Sequence, residues 1–156
     1  MPHVIVWDLE TVPDVAGYAA ANALTGKSDA EIREALGNKF PKHIYHSIVC
    51  IGALVAHKEA DHWAVDAIGA PHVGDRTEKQ LISAFVDKIA ELNPELVTFN
   101  GNTFDLPVLR YRAMIHAVSA PGLTLRPIST VTPRTRSTCA TCSRRSLHTR
   151  KPRWTS

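Results

Sequence analysis

At 156 residues the chain is long enough for one domain with its own core, and three cysteines, one of them (Cys50) inside an apolar run, argue against a secreted disulfide scaffold. No apolar run reaches transmembrane length and no charged-then-apolar leader opens the chain, which predicts a soluble, cytoplasmic protein with no membrane partner. The formal charge of +3 conceals a split: residues 1–105 hold all 15 acids and 8 Lys/Arg, whereas residues 106–156 hold 10 Lys/Arg and no acid.

Val4, Ile5, Val6 and Trp7 form a β-rich apolar run, the pattern of a buried strand. Asp8 and Glu10 follow at its end. Side chains two apart on a strand share a face, so both carboxylates project into one small volume. Like charges that close repel unless a cation lies between them, and a divalent metal such as Mg²⁺ takes hard carboxylate oxygens. Taken alone, one such pair is better read as a strand end emerging into solvent.

Val12 to Tyr45 reads as an alanine-rich helical insertion. Ser28 and Glu31 form a capping box for a helix running to Leu36, stopped by Gly37. Gly26-Lys27-Ser28 resembles the end of a phosphate-binding loop, but that pattern needs glycine where Ala21 stands. Ile48–Val55 and His62–Ile68 read as two strands of a hairpin with Lys58-Glu59-Ala60-Asp61 as its turn. His43, His46 and His57 match no zinc spacing and read as surface or loop residues. Thr77 and Gln80 cap a clearer helix, with apolar positions at Leu81, Ile82, Phe85, Val86, Ile89 and Leu92 and a stop at Asn93-Pro94.

Glu95 to Phe99 reads as another strand, followed by the turn signal Asn100-Gly101 and by Asp105. Pro107 suits the first turn of a helix with Leu109, Ala113 and Ala117 on one stripe and Met114 and Val118 beside it. Asp105 near a helix N-terminus is explained equally by the helix dipole. Two strand-linked motifs, Asp8-Leu9-Glu10-Thr11 and Asn100 through Phe104-Asp105, together resemble the first two motifs of the DEDD (DnaQ-like, ribonuclease H-like) 3′–5′ exonuclease superfamily. Within it the chain is most similar to bacterial proteins akin to the proofreading domain of family B DNA polymerases, over about residues 3–126.

That resemblance implies an α/β, ribonuclease H-like mixed sheet flanked by helices, matching the element order β, insertion, β, β, α, β, α. It also implies a two-metal Mg²⁺ or Mn²⁺ site for hydrolysis at a single-stranded 3′ end, DNA in preference to RNA. Asp8 would bridge both ions, Glu10 would bind one, and Asp105 would position the second through water. The backbone around Leu9 and Thr11 would hold the terminal nucleotide, with Asn100 and Phe104 along the strand's path. Asn100 as a turn residue and Phe104 as a core residue stand as alternatives.

The family pattern also needs a fourth carboxylate in a third motif, on a helix well after Asp105, and residues 106–156 contain none. From Pro127 the chain changes character, with seven Thr, five Ser, three Pro and seven Lys/Arg and no helical or strand period. Three accounts follow for residues 127–156: a basic nucleic-acid-binding tail, half a zinc site at Cys139, Cys142 and His148, or an out-of-frame segment. Back-translation with one base restored yields an acidic, partly amphipathic continuation like that of such exonucleases. The expectation is therefore a domain over 1–126, truncated or frameshifted beyond it, with a disordered tail. Against an impaired exonuclease stand an inactive fragment and a binding module acting through the tail.

Overall fold

The computed structural model describes residues 1–123 and the backbone of Ser129–Thr130. Five strands form one mixed sheet: β1 (His3–Pro13), β2 (His46–Glu59), β3 (His62–Gly69), β4 (Glu95–Thr98) and β5 (Ser129–Thr130). Their order is β3-β2-β1-β4-β5; β1–β2 and β2–β3 are antiparallel, while β1–β4 and β4–β5 are parallel. The expected antiparallel hairpin followed by parallel crossovers is what forms, an α/β fold with a mixed sheet and packed helices. Among the described residues four α-helices complete it: α1 (Val15–Ala21), α2 (Asp29–Leu36), α3 (Glu78–Leu92) and α4 (Asp105–Ile115).

Alternation along β1 decides where the core lies. Ile5, Trp7 and Leu9 are buried on one face, and α3 and α4 pack there with Ile82, Ile89, Val108 and Leu109 in a single cluster. Val6, Asp8 and Glu10 point the other way and are exposed. On that second face Val6, Asp8, Leu54, Ile68, Val97 and Phe99 line an open hollow of about 770 Å³.

Both capping boxes form as expected: Ser28 with Glu31 starts α2, and Thr77 with Gln80 starts α3. Gly37 ends α2 at φ +71° and Asn93 ends α3 at φ +48°, the left-handed geometry that stops a helix. Several boundaries differ from the sequence reading. β1 continues to Pro13 because β2 pairs with it as far as His46, so Asp8 and Glu10 lie within the strand rather than at its end. The hairpin turn shrinks to Ala60-Asp61, since Lys58 and Glu59 pair with Trp63 and His62. Ala117 falls outside α4, at φ +51°, where the chain turns back so that the Val118 amide donates to the Ala113 carbonyl; Met114 is exposed. His46 is buried, and His57 lies within β2, bonded to Asp66. Ser129–Thr130 pair with β4, so the sheet takes in two residues from the stretch read as lacking strand character. Cys139, Cys142, His148 and the rest of residues 131–156 lie outside the described residues.

A buried ionic set joins the parts. The Arg112 side chain, 5% exposed, donates from Nε to Glu78 (2.7 Å) and from Nη1 to Asp14 (2.6 Å), and its Nη2 also reaches Glu78. Glu78 further accepts from the Ile48 amide and from His116, while Asp14 caps α1 through the Gly17 amide. Gly17 has no Cβ, which would stand 2.5 Å from the Asp14 carboxylate. Burial pulls the Glu78 carboxyl upward, but the bonds from Arg112, His116 and Ile48 outweigh it and hold the group below its ordinary 4.5.

Arg112→Ala strands two partly buried carboxylates, so it should cost about 3 kcal/mol in urea unfolding near neutral pH, the low end for a broken buried pair. Because Glu78 titrates lower when folded, its contribution exists above the ordinary 4.5 and fades as pH falls through the folded value. Glu78→Gln should therefore flatten the acid limb of the stability curve; an unchanged limb would show that the carboxyl is not held low.

Candidate active site

Asp105 begins α4, and the segment before it sets its position. After β4 the Leu106 amide donates to the Gly101 carbonyl (2.8 Å), and the Thr103 and Phe104 amides both donate to Asn100 (3.1 Å each). Asn100 thus shapes the turn, and its side chain also meets the Thr103 hydroxyl. A Cβ at Gly101 would stand 1.9 Å from Thr98 Cγ2, so only glycine lets the turn close over Thr98.

Thr98 is the residue that the sequence reading missed. It is 1% exposed and donates its hydroxyl to Asp105 Oδ2 at 3.0 Å. Its signal was present as a polar residue inside a short apolar strand just before the turn. Burial raises the Asp105 carboxyl above its ordinary value; the Thr98 bond opposes that, and the negative charge of Asp8 adds to it. Asp8 and Asp105 therefore lie within electrostatic reach of each other.

The register explains how they meet. β4 pairs with β1 only from Val4 to Val6, so Asp8 and Glu10 run past the last β4 partner, and Gly52 and Cys50 face them from β2. Glu10 shares the exposed face of Asp8. Leu9 points its side chain into the core, leaving only its backbone on the site side. Thr11, beyond a bulge, shares a hydrogen bond with His46 Nδ1 (3.0 Å), and His46 Nε2 lies 3.2 Å from the Pro41 carbonyl. Since a carbonyl only accepts, Nε2 carries the proton and Nδ1 accepts from Thr11 in the neutral ring. Burial, with His43 nearby, lowers the His46 pKa in spite of the Pro41 bond and favours that neutral form. Phe104, half-buried, packs against the rings of His46 (5.1 Å), Phe40 (5.5 Å) and His43 (5.8 Å).

Residues 38–129 match the model of a family described as a predicted 3′–5′ exonuclease related to the exonuclease domain of PolB, more than half of the chain. The chain belongs to this family. The matched span of this PolB-related exonuclease family holds Asn100, Phe104 and Asp105 and begins after Asp8 and Glu10. Among solved structures the chain is similar to the family B DNA polymerase of the hyperthermophilic archaeon Pyrobaculum calidifontis, at 20% identity and a TM-score of 0.47. That match covers 77% of this chain and 12% of the polymerase. Comparison with curated proteins finds no match.

The donor chemistry at Asp8 and Asp105 fits a divalent cation. The charge of Asp8 adds to the cost of ionising Asp105, a cost that a dication would relieve, and Mg²⁺ commonly takes one or two carboxylates together with water and phosphate oxygens. Among the described residues no three His, Cys, Asp or Glu side chains form a group that could by itself hold a metal ion, so Glu10 is not drawn into a ready-made three-ligand cluster.

An Asp pKa raised by folding contributes stability below its unfolded value and loses it as pH rises through the folded one. Asp105→Asn should therefore stabilise the chain near neutral pH and show no gain below about pH 4. Thr98→Val removes the bond that opposes the shift, so the pH midpoint of Mn²⁺ binding should move upward. A midpoint equal to that of the unmodified chain would separate Thr98 from the titration of Asp105.

Proposed function

We propose that this chain is a metal-dependent 3′–5′ exonuclease acting on single-stranded nucleic-acid 3′ ends, DNA in preference to RNA, with Asp8, Glu10 and Asp105 as its carboxylates. The observation that carries this reading is the electrostatic pairing of Asp8 with Asp105, where β1 overruns β4, in a chain of an exonuclease family. Mg²⁺ or Mn²⁺, when bound, supplies charge neutralisation at the scissile phosphate and a more acidic water. Asp8 and Asp105 would hold the ion, and Glu10, on the same strand face as Asp8, would be available to a second. Thr98 holds one oxygen of the Asp105 carboxylate and so limits its rotation. The Leu9 and Thr11 backbone lies along the terminal nucleotide, with Asn100 and Phe104 beside the strand.

The absence of Asp and Glu from residues 106–156 removes a fourth carboxylate, so activity in this chain is weak. Residues 1–126 carry the exonuclease unit, and the composition beyond them fits a one-base frameshift near residue 127. The +10 charge of residues 106–156 favours a second reading, a module that binds nucleic-acid phosphates through the tail.

A labelled single strand incubated with Mg²⁺ or Mn²⁺ should lose mononucleotides from its 3′ end slowly, and faster with a frame-restored chain. Asp8→Asn and Asp105→Asn should each abolish release, a loss of at least about a hundredfold given what positioning is worth. Release that survives both substitutions would sink the site. Salt-sensitive binding without any release, lost on deleting residues 127–156, would favour the module instead.

A further inference from the structure

The segment between α2 and β2 carries features that the carboxylate site does not use. Phe40 is 73% exposed, a large aromatic ring left mostly in water. Lys39 and Lys42 flank it and are exposed, and no acid occurs between Glu34 and Glu59. This cationic stretch borders a site whose described charged groups are the acids Asp8, Glu10 and Asp105. The ring is also held in place. It stands 5.5 Å from Phe104 and 5.0 Å from His46, and His46 ties the Pro41 carbonyl to Thr11, one residue past Glu10.

We infer that Lys39–His43 forms a lip that grips the single strand, with Phe40 stacking on a base near the 3′ end and Lys39 and Lys42 meeting its phosphates. Every base has a π-face, so an exposed ring flanked by cations binds single strands whatever their sequence. Duplex would offer Phe40 no free face. The His46 bridge sets the ring in advance, so little is lost in ordering it on binding. Cations at the lip also offset the repulsion that three carboxylates exert on an incoming phosphate chain. The inference rests on the exonuclease reading, for it takes the strand entering over Phe40 to be the one whose end reaches Asp8 and Asp105.

Binding read without hydrolysis tests it. The full chain is mixed with a 5′-fluorescein single strand of about ten nucleotides, within the range one such site covers, in Ca²⁺, which takes the same oxygen ligands. Phe40→Ala and Phe40→Leu should each weaken binding about tenfold, the scale of one lost base–aromatic stack, while Phe40→Trp retains it. The salt dependence should stay unchanged in all three, whereas Lys39→Gln and Lys42→Gln should each lower its slope by about 0.7. A strand with 2-aminopurine near its 3′ end locates the contact: its quenching should vanish with Phe40→Ala, an effect that a basic tail alone would not produce. Phe40 is exposed, so circular dichroism of the variants should match the unmodified chain, and the Trp variant supplies a folded positive control. Equal affinity and quenching for the unmodified, Ala and Leu chains would overturn the lip and leave the exonuclease reading untouched. An unmodified chain that binds no strand would overturn the lip as well, and without mononucleotide release it would overturn both.

Discussion

Arg112 carries a permanent charge into a place where only its partners make it tolerable. Taken from water unpaired, such a charge would cost several kcal/mol, yet here two carboxylates meet its planar fork from different directions. Those carboxylates come from the first turn of α3 and from the cap of α1, and Glu78 also accepts from the Ile48 amide near the start of β2. An apolar plug of equal volume could bury as much surface, but it would not specify angle. A guanidinium held by Glu78 and Asp14 fixes the rotation of α4 about its axis. Asp105 starts that helix, so its position depends on a bond made two turns away.

The second constraint is the mismatch in strand length. β1 has eleven residues and β4 has four, and the parallel pairing ends at Val6. Beyond that point β1 has a neighbour on one side only. Past β4 the chain turns at Asn100–Thr103 into α4, whose buried Asp105 lies within electrostatic reach of the exposed Asp8. Asp105 and Asp8 are the same chemical group in unlike surroundings, and burial separates their behaviour more than sequence does.

Local chemistry made much of this legible. Both capping boxes, the Gly37 and Asn93 stops and the apolar stripe of α3 follow from short-range rules, and all formed where the residues placed them. The alternation of β1 likewise put Asp8 and Glu10 on one face. What was not legible depends on partners distant in the chain. Strand ends are set by the neighbouring strand, so β1 outran its apolar run once β2 paired as far as His46. His46 became buried through contacts with Thr11 and Phe104 that no spacing announces. Thr98 looked like an ordinary β-former, and its role arises from Asp105, seven residues on, folding back over Gly101. Arg112 had the same difficulty: an arginine in an amphipathic helix reads as solvated until its partners, 34 and 98 residues away, are known.

The insertion between β1 and β2 leaves the sheet at Pro13 and returns beside it at His46, two residues that are register partners. A segment whose two ends are already neighbours can change in length or composition while the strands on either side keep their pairing. Loop-closure entropy grows only slowly with length, so such changes carry a modest thermodynamic penalty. Apart from Asp14, which holds Arg112 and through it α4, the carboxylate geometry and the surface that α2 and Lys39–His43 present are therefore separable traits. Selection, or an engineer, can regraft the insertion and alter what the protein grasps while the acids stay in register.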